Sequence, residues 1–183
     1  MKIEGDLRFF FSLLLFLGLV LLRSVHMGRR LITTRRNPAA LGSLPLKALM
    51  LVTAIVAAGL ALFGAIHVPS AGLSSRYVIS VFLGLLGLAD VRNDWRFVAN
   101  PRPTPMAWWY QHMGCMLGAG IAFHTAFLVF GARQWFGLKL FGGPLALISW
   151  VLPSAVGIPA ISIWIRSYRR RFGDLSPRPV SAP

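Results

Sequence analysis

RSVHMGRRLITTRRNPAALGSLPLK, residues 23–47, places six of the chain's 19 Lys and Arg residues between two long apolar runs. Two further clusters follow, Arg92 to Arg102 and Arg166 to Arg178, and the three together hold six plus three plus five, or 14 of the 19 cations. The other five (Lys2, Arg8, Arg76, Arg133 and Lys139) lie in the stretches between. Dense and sparse connections therefore alternate along the chain. An excess of Lys and Arg in alternate loops marks a polytopic membrane protein and sets its orientation, because cationic loops stay on the cytoplasmic side.

Composition agrees. With 56% hydrophobic and only 13% charged residues in a chain of 183, the sequence is too apolar for a soluble domain. A net charge of +14 invites a nucleic-acid reading, but such proteins carry their charge as a stripe on a soluble surface. Here the charge sits at the ends of apolar runs, so the expected partner is the anionic headgroups of a bilayer, and no nucleic acid is expected. Sixteen Arg against three Lys is the usage of a GC-rich bacterial genome, which points to a bacterial inner membrane. The single cysteine, Cys115, excludes an intrachain disulfide and a Cys-based zinc site; it reads as a small packing residue within an apolar helix.

Five spans are predicted, at 9–25, 46–66, 74–90, 108–130 and 145–165, giving an all-α bundle with its N-terminus outside and its C-terminus cytoplasmic. The first run lacks a net positive n-region, because Glu4 and Asp6 balance Lys2 and Arg8, and no small-residue cleavage site follows it; it reads as an uncleaved span. The third is the shortest, with about 13 apolar residues from Tyr77 to Ala89. It is accepted because five crossings place all 14 clustered cations on one side. Small residues recur every fourth position at Ala57, Ala61 and Ala65 in the second span, and at Gly114, Gly118, Ala122 and Ala126 in the fourth. Such ridges let helices approach closely, and the two spans are expected to pack on each other through them. Trp108, Trp109 and Tyr110 form an interfacial anchor. Pro153 and Pro159 should kink the fifth span, and residues 173–183, rich in Pro and Ser, are expected to be a disordered cytoplasmic tail.

No phosphate loop, GxSxG or HExxH motif occurs, and no metal site is expected. What remains is a set of polar groups in or beside the membrane, where such groups default to candidates for function. His26 and His112 fall near the cytoplasmic face, His67 and His124 toward the outer face. His112 and His124 are twelve residues apart, about 18 Å along a helix and on different faces. Haem b held from two helices could use the pair His26 and His112 or the pair His67 and His124; hydrogen-bonded helix-end histidines are the plainer reading. Asp90 ends the third span, where the helix dipole disfavours a carboxylate, so Arg23, Arg29 or Arg92 should compensate it, with Asp94 and Arg96 extending the patch. Thr125 should bond across helices or back to the carbonyl of residue 121.

HMGCMLGAGIAFHTAFLVF (His112 to Phe130), WVLPSAVGIP (Trp150 to Pro159) and RSYRRRF (166–172) carry a resemblance to a family of uncharacterised small bacterial polytopic membrane proteins. The matching positions are His112, Gly118, Ala122, Thr125 to Phe127, Leu152, Pro153, Gly157 and Pro159, in the C-terminal third; His124 is outside the pattern. The resemblance implies a membrane location and a role for His112, and brings no activity with it.

These readings converge on an integral inner-membrane protein, structural or accessory, more readily than on a self-contained enzyme. The alternatives are a small b-type haem protein in electron transfer and a transporter subunit, the latter helped if the chain forms a homo-oligomer. The expected site is a cytoplasmic-side polar cluster of His112, Asp90 and His26, where an imidazole beside a carboxylate could switch charge near neutral pH.

Overall fold

A computed structural model describes residues 2–71, 75–100, 104–137 and 144–174. The expected tail beyond Asp174, and the cations Arg102, Lys139 and Arg178, lie outside the described residues. The chain forms five long α-helices: α1 (Lys2–Thr33), α2 (Leu44–Ala71), α3 (Ser75–Ala99), α4 (Ala107–Phe136) and α5 (Pro144–Arg171). A short 3-10 turn, Pro38–Leu41, joins α1 to α2. Each helix overruns its apolar stretch. α1, for example, continues through Arg29 and Arg30 until Thr33 and Thr34 turn their hydroxyls onto the Arg30 carbonyl, at 3.2 and 2.7 Å. Such side-chain bonds offer the backbone an alternative to the helical ladder, and Asn37 before Pro38 prevents its resumption.

Four segments are long and apolar enough to cross a membrane: Leu7–Thr33, Leu44–Pro69, Ala107–Gly131 and Leu147–Arg171. The chain is therefore a multi-pass membrane protein. α3 falls short of that mark because its second half carries Asp90, Arg92, Asn93, Asp94 and Arg96. The bundle surface is correspondingly apolar, with Leu15, Ile55, Leu62, Phe123, Phe130 and Ile163 all exposed. Lipid, unlike water, has no quarrel with such a surface.

Successive helices run in opposite directions. At one end Phe9 of α1 meets Phe63 of α2, and His67 of α2 stacks on Tyr77 of α3 with 5.1 Å between ring centroids. At the other end Trp109 of α4 packs edge-on to Tyr168 of α5 at 4.8 Å, and the Arg169 guanidinium lies 5.1 Å over the Tyr110 ring. The Tyr110 hydroxyl donates to Asp174 at 2.8 Å. The aromatic anchor predicted from Trp108 to Tyr110 thus clamps the basic end of α5.

The closest helix packing departs from expectation. α2 packs along α3, α1 along α4 and α4 along α5, whereas α2 and α4 share no packed interface. A Cβ on Gly84 of α3 would lie 2.6 Å from both the Ala57 carbonyl oxygen and the Ala61 nitrogen of α2. A Cβ on Gly64 of α2 would meet the Tyr77 carbonyl oxygen at 2.6 Å. The Ala57–Ala61 ridge is therefore occupied by α3, whose Gly84 and Gly87 fit against it. Ala65 is exposed, and Gly114 and Gly118 have nothing near the position of a Cβ. α5 runs on as one helix through Pro153 and Pro159, and packs on α4 where Gly157 faces the Ile121 side chain.

Overpacking a tight contact costs on the order of 1–3 kcal/mol, and more where backbone must move. Gly84→Leu should therefore lower the thermal stability of the detergent-solubilised protein markedly. Gly118→Leu should leave it within about 0.5 kcal/mol, as expected where a new side chain meets no protein. Equal losses in a melting assay would refute this assignment of partners.

Candidate functional site

Arg23 of α1 is fully buried, at 0% exposure, at the end of a long apolar run. A charge in such a place is expensive and persists only when paired. Its guanidinium is shared by two carboxylates of α3: Nη2 pairs with Asp90 and Nη1 with Asp94. Asp90 and Asp94 stand four residues apart, so one helical turn brings both onto one face, straddling the fork of the guanidinium. Nη2 also donates to Ser24 Oγ at 3.2 Å.

The cluster continues into α4. Asp94 is 1% exposed, and its Oδ1 accepts a bond from Gln111 Nε2 at 2.7 Å and a weaker one from Cys115 Sγ at 3.8 Å. Asn93 Nδ2 donates to Gln111 Oε1 at 3.4 Å. Asp90, by contrast, keeps 45% of its side chain exposed. The guanidinium thus ties α1 to α3, and Asp94 extends the tie to α4, with the better-buried carboxylate receiving the larger number of donors. The pattern follows the physics of burial: a carboxylate out of water needs every lone pair answered.

Of the sequence candidates, Asp90 is in this cluster, and among Arg23, Arg29 and Arg92 it is Arg23 that compensates it. His112 is not joined to the carboxylates by any hydrogen bond among the described residues. Its Nδ1 lies 2.9 Å from the Gly28 carbonyl of α1, and since a carbonyl only accepts, Nδ1 carries the proton. The adjacent Gln111, about 100° further back around α4, takes the place expected of His112. His26 is half-buried, and its Nε2 is buried without a hydrogen-bond partner. No bond or ring contact joins it to His112 among the described residues. His67 and His124 each turn Nδ1 onto a carbonyl of their own helix, Phe63 and Gly120, both at 2.7 Å. They sit on α2 and α4, which do not pack together. Thr125, 1% exposed, bonds back to the Ile121 carbonyl at 2.9 Å, one of the two outcomes foreseen for it. Among the described residues no group of three His, Cys, Asp or Glu side chains is arranged to hold a metal ion.

Sequence reasoning left Gln111 out and gave Asp94 only a supporting place. The four-residue spacing of Asp90 and Asp94 was the available signal for the second carboxylate. Nothing local distinguishes Gln111 from its neighbour His112.

Comparisons with family models, curated proteins and solved structures found no match. The resemblance noted above rests on its motif residues alone, of which Gly157 and Thr125 have the packing and backbone-bonding roles just described.

Removing one partner of a buried ion pair costs about 3–5 kcal/mol, because the other charge is left uncompensated. Arg23→Leu should produce a loss of that order in thermal unfolding. Asp94→Asn should cost more than Asp90→Asn, since only Asp94 is fully enclosed. Arg23→Leu combined with Asp94→Leu should be less damaging than Arg23→Leu alone, because it removes the stranded charge as well.

Proposed function

We propose that the chain is a structural or accessory protein of the bacterial inner membrane. It crosses the bilayer five times, with its N-terminus outside and its C-terminus in the cytoplasm, and its Arg23–Asp90–Asp94–Gln111 cluster serves as an interhelical lock. The observation that carries this reading is the double pairing of Arg23: Asp90 and Asp94 are both committed to its guanidinium, and Asp94 is further bonded to α4. A catalytic or transport carboxylate would need to exchange partners, and Asp94 of α3 is held from α1 and α4 at once.

The fifth crossing is supported by the pairing of α3 with α2. From Tyr77, which meets Gly64 of α2, to Val98, which meets Gly42 just ahead of α2, α3 runs antiparallel beside a helix long enough to cross. The 21 steps from Tyr77 to Val98 extend about 30 Å at a rise of 1.5 Å each, close to the thickness of a hydrocarbon core. The orientation is supported by the gathering of Arg29, Arg30, Arg35, Arg36, Arg92 and Arg96 at the end of the bundle where α5 also finishes in Arg169 to Arg171. The anionic surface of the inner leaflet is the partner such an end would face.

Reporter fusions separate five spans from four. A reporter active only in the cytoplasm should give signal after Asn100 and after Phe172, and one active only outside should give signal after Ser70. If α3 does not cross, Asn100 and Phe172 should both report outside. The purified protein should also show no Soret band in its visible spectrum; a band would replace the structural reading with the haem one.

A further inference from the structure

The basic end of the bundle is not uniformly charged surface. Between the end of α1, the 3-10 turn, the end of α3 and the approach to α4 lies a pocket of about 560 Å³. Leu31, Leu41, Phe97 and Trp108 line it, and Arg35 and Arg36 stand among the same lining residues. Leu31 and Leu41 belong to the buried core, at 2% exposure each, while Arg35 and Arg36 are exposed. The floor is therefore apolar and fixed, and the rim cationic.

The pocket is also preformed. Arg30 donates from Nε to the Leu41 carbonyl at 3.1 Å and from Nη2 to the Ala40 carbonyl, so the turn that makes one wall is tied back to α1. Trp108 marks the depth, as an aromatic at the interface between headgroups and hydrocarbon does. The volume is that of an ordinary small-molecule site. Water would wet the apolar floor at a cost, and an uncharged acyl chain would match the floor but not the positive charge of the rim. The complement of both is an amphiphile with an anionic head.

We propose that this pocket is a binding site for one anionic phospholipid, with its phosphate between Arg35 and Arg36 and the upper part of a chain against Leu31, Leu41, Phe97 and Trp108. The choice of the inner leaflet as its source rests on the orientation proposed above. Binding itself requires only that this end of the bundle lie at a membrane surface, so it can be measured in detergent independently of topology.

The test is native mass spectrometry of the delipidated protein titrated with phosphatidylglycerol, phosphatidylcholine or glycerol 3-phosphate. One phosphatidylglycerol should bind well before a second, with phosphatidylcholine at least tenfold weaker. Arg35→Gln with Arg36→Gln should weaken that first event roughly tenfold or more, since each basic residue near a headgroup contributes appreciably. Arg92→Gln with Arg96→Gln, which removes the same charge outside the pocket, should change it less than about twofold. Thr104→Trp, which fills the pocket from its lining without altering charge, should also abolish the preference for a first lipid. Equal losses from the two Arg pairs would mean diffuse attraction to a basic surface and would overturn the proposal. So would full competition by glycerol 3-phosphate, which would make this a phosphate site, or undiminished binding to Thr104→Trp. Melting curves of each variant show that the fold is kept, and the reporter fusions fail or succeed separately.

Discussion

Two carboxylates one helical turn apart share one buried guanidinium, and the register of three helices follows from it. Arg23 cannot be paired by lipid, and Asp94 cannot be left bare at 1% exposure, so α1 and α3 have little freedom to slide past one another. A second contact agrees with that register. A Cβ on Gly87 would lie 2.7 Å from the Phe16 ring, and seven residues further along each chain Arg23 meets Asp94. Seven residues are close to two helical turns, so both contacts fall on the same faces of two parallel helices. Gln111 then brings α4 to the same depth. A polar network of this kind contributes less to net stability than to uniqueness: its members tolerate one arrangement, while the apolar contacts around them tolerate several.

Close packing supplies what the charges do not. In lipid there is no hydrophobic drive between helices, so association depends on how near two backbones can come. The near approaches occur at glycines, of backbone to backbone between α2 and α3 and of side chain to backbone where α1 and α5 meet α4. Gly64 and Gly84 serve α2 and α3; Gly157 serves α5 against α4. Gly28 serves α1 against α4, where an added Cβ would lie 2.2 Å from Met116 Cε, and the same approach lets the Gly28 carbonyl reach His112. Without a Cβ at Gly28, the His112 ring and the end of Met116 reach the α1 backbone there, and the partner His112 finds is the Gly28 carbonyl and not Asp90.

The number, kind and order of the helices were legible in the sequence, because hydropathy and the spacing of arginines report on each helix by itself. The need of Asp90 for a cation was legible too, though not for the reason expected: α3 continues to Ala99, so Asp90 is not at a helix end, and the cation answers a carboxylate set within a membrane bundle. Partner choice was not legible. A ridge of small residues says that some helix can come close and leaves open which; Ala57 and Ala61 meet Gly84, three residues from Gly87, and neither glycine stood out in an apolar run. The exchange of His112 for Gln111 has the same origin. Adjacent residues on α4 point about 100° apart, and which of the two faces α3 depends on the rotation of α4 about its axis, a property set by Gly28 on one neighbour and Gly157 on another.

α3 shows how these constraints combine. Its apolar run of about 13 residues from Tyr77 to Ala89 is too short to satisfy a hydrocarbon core alone, yet it lies along α2 for about twice that length. The remainder is polar on the side that meets Arg23 and Gln111. Asp90 and Asp94 are therefore answered by protein, while the exposed Arg92 and Arg96 lie at the basic end of the bundle among the other clustered arginines. A helix can be this polar within a membrane bundle only when its neighbours replace the solvent it gives up. Arg23 is that replacement, which is why one arginine of the basic clusters is buried while those around it stay at the surface.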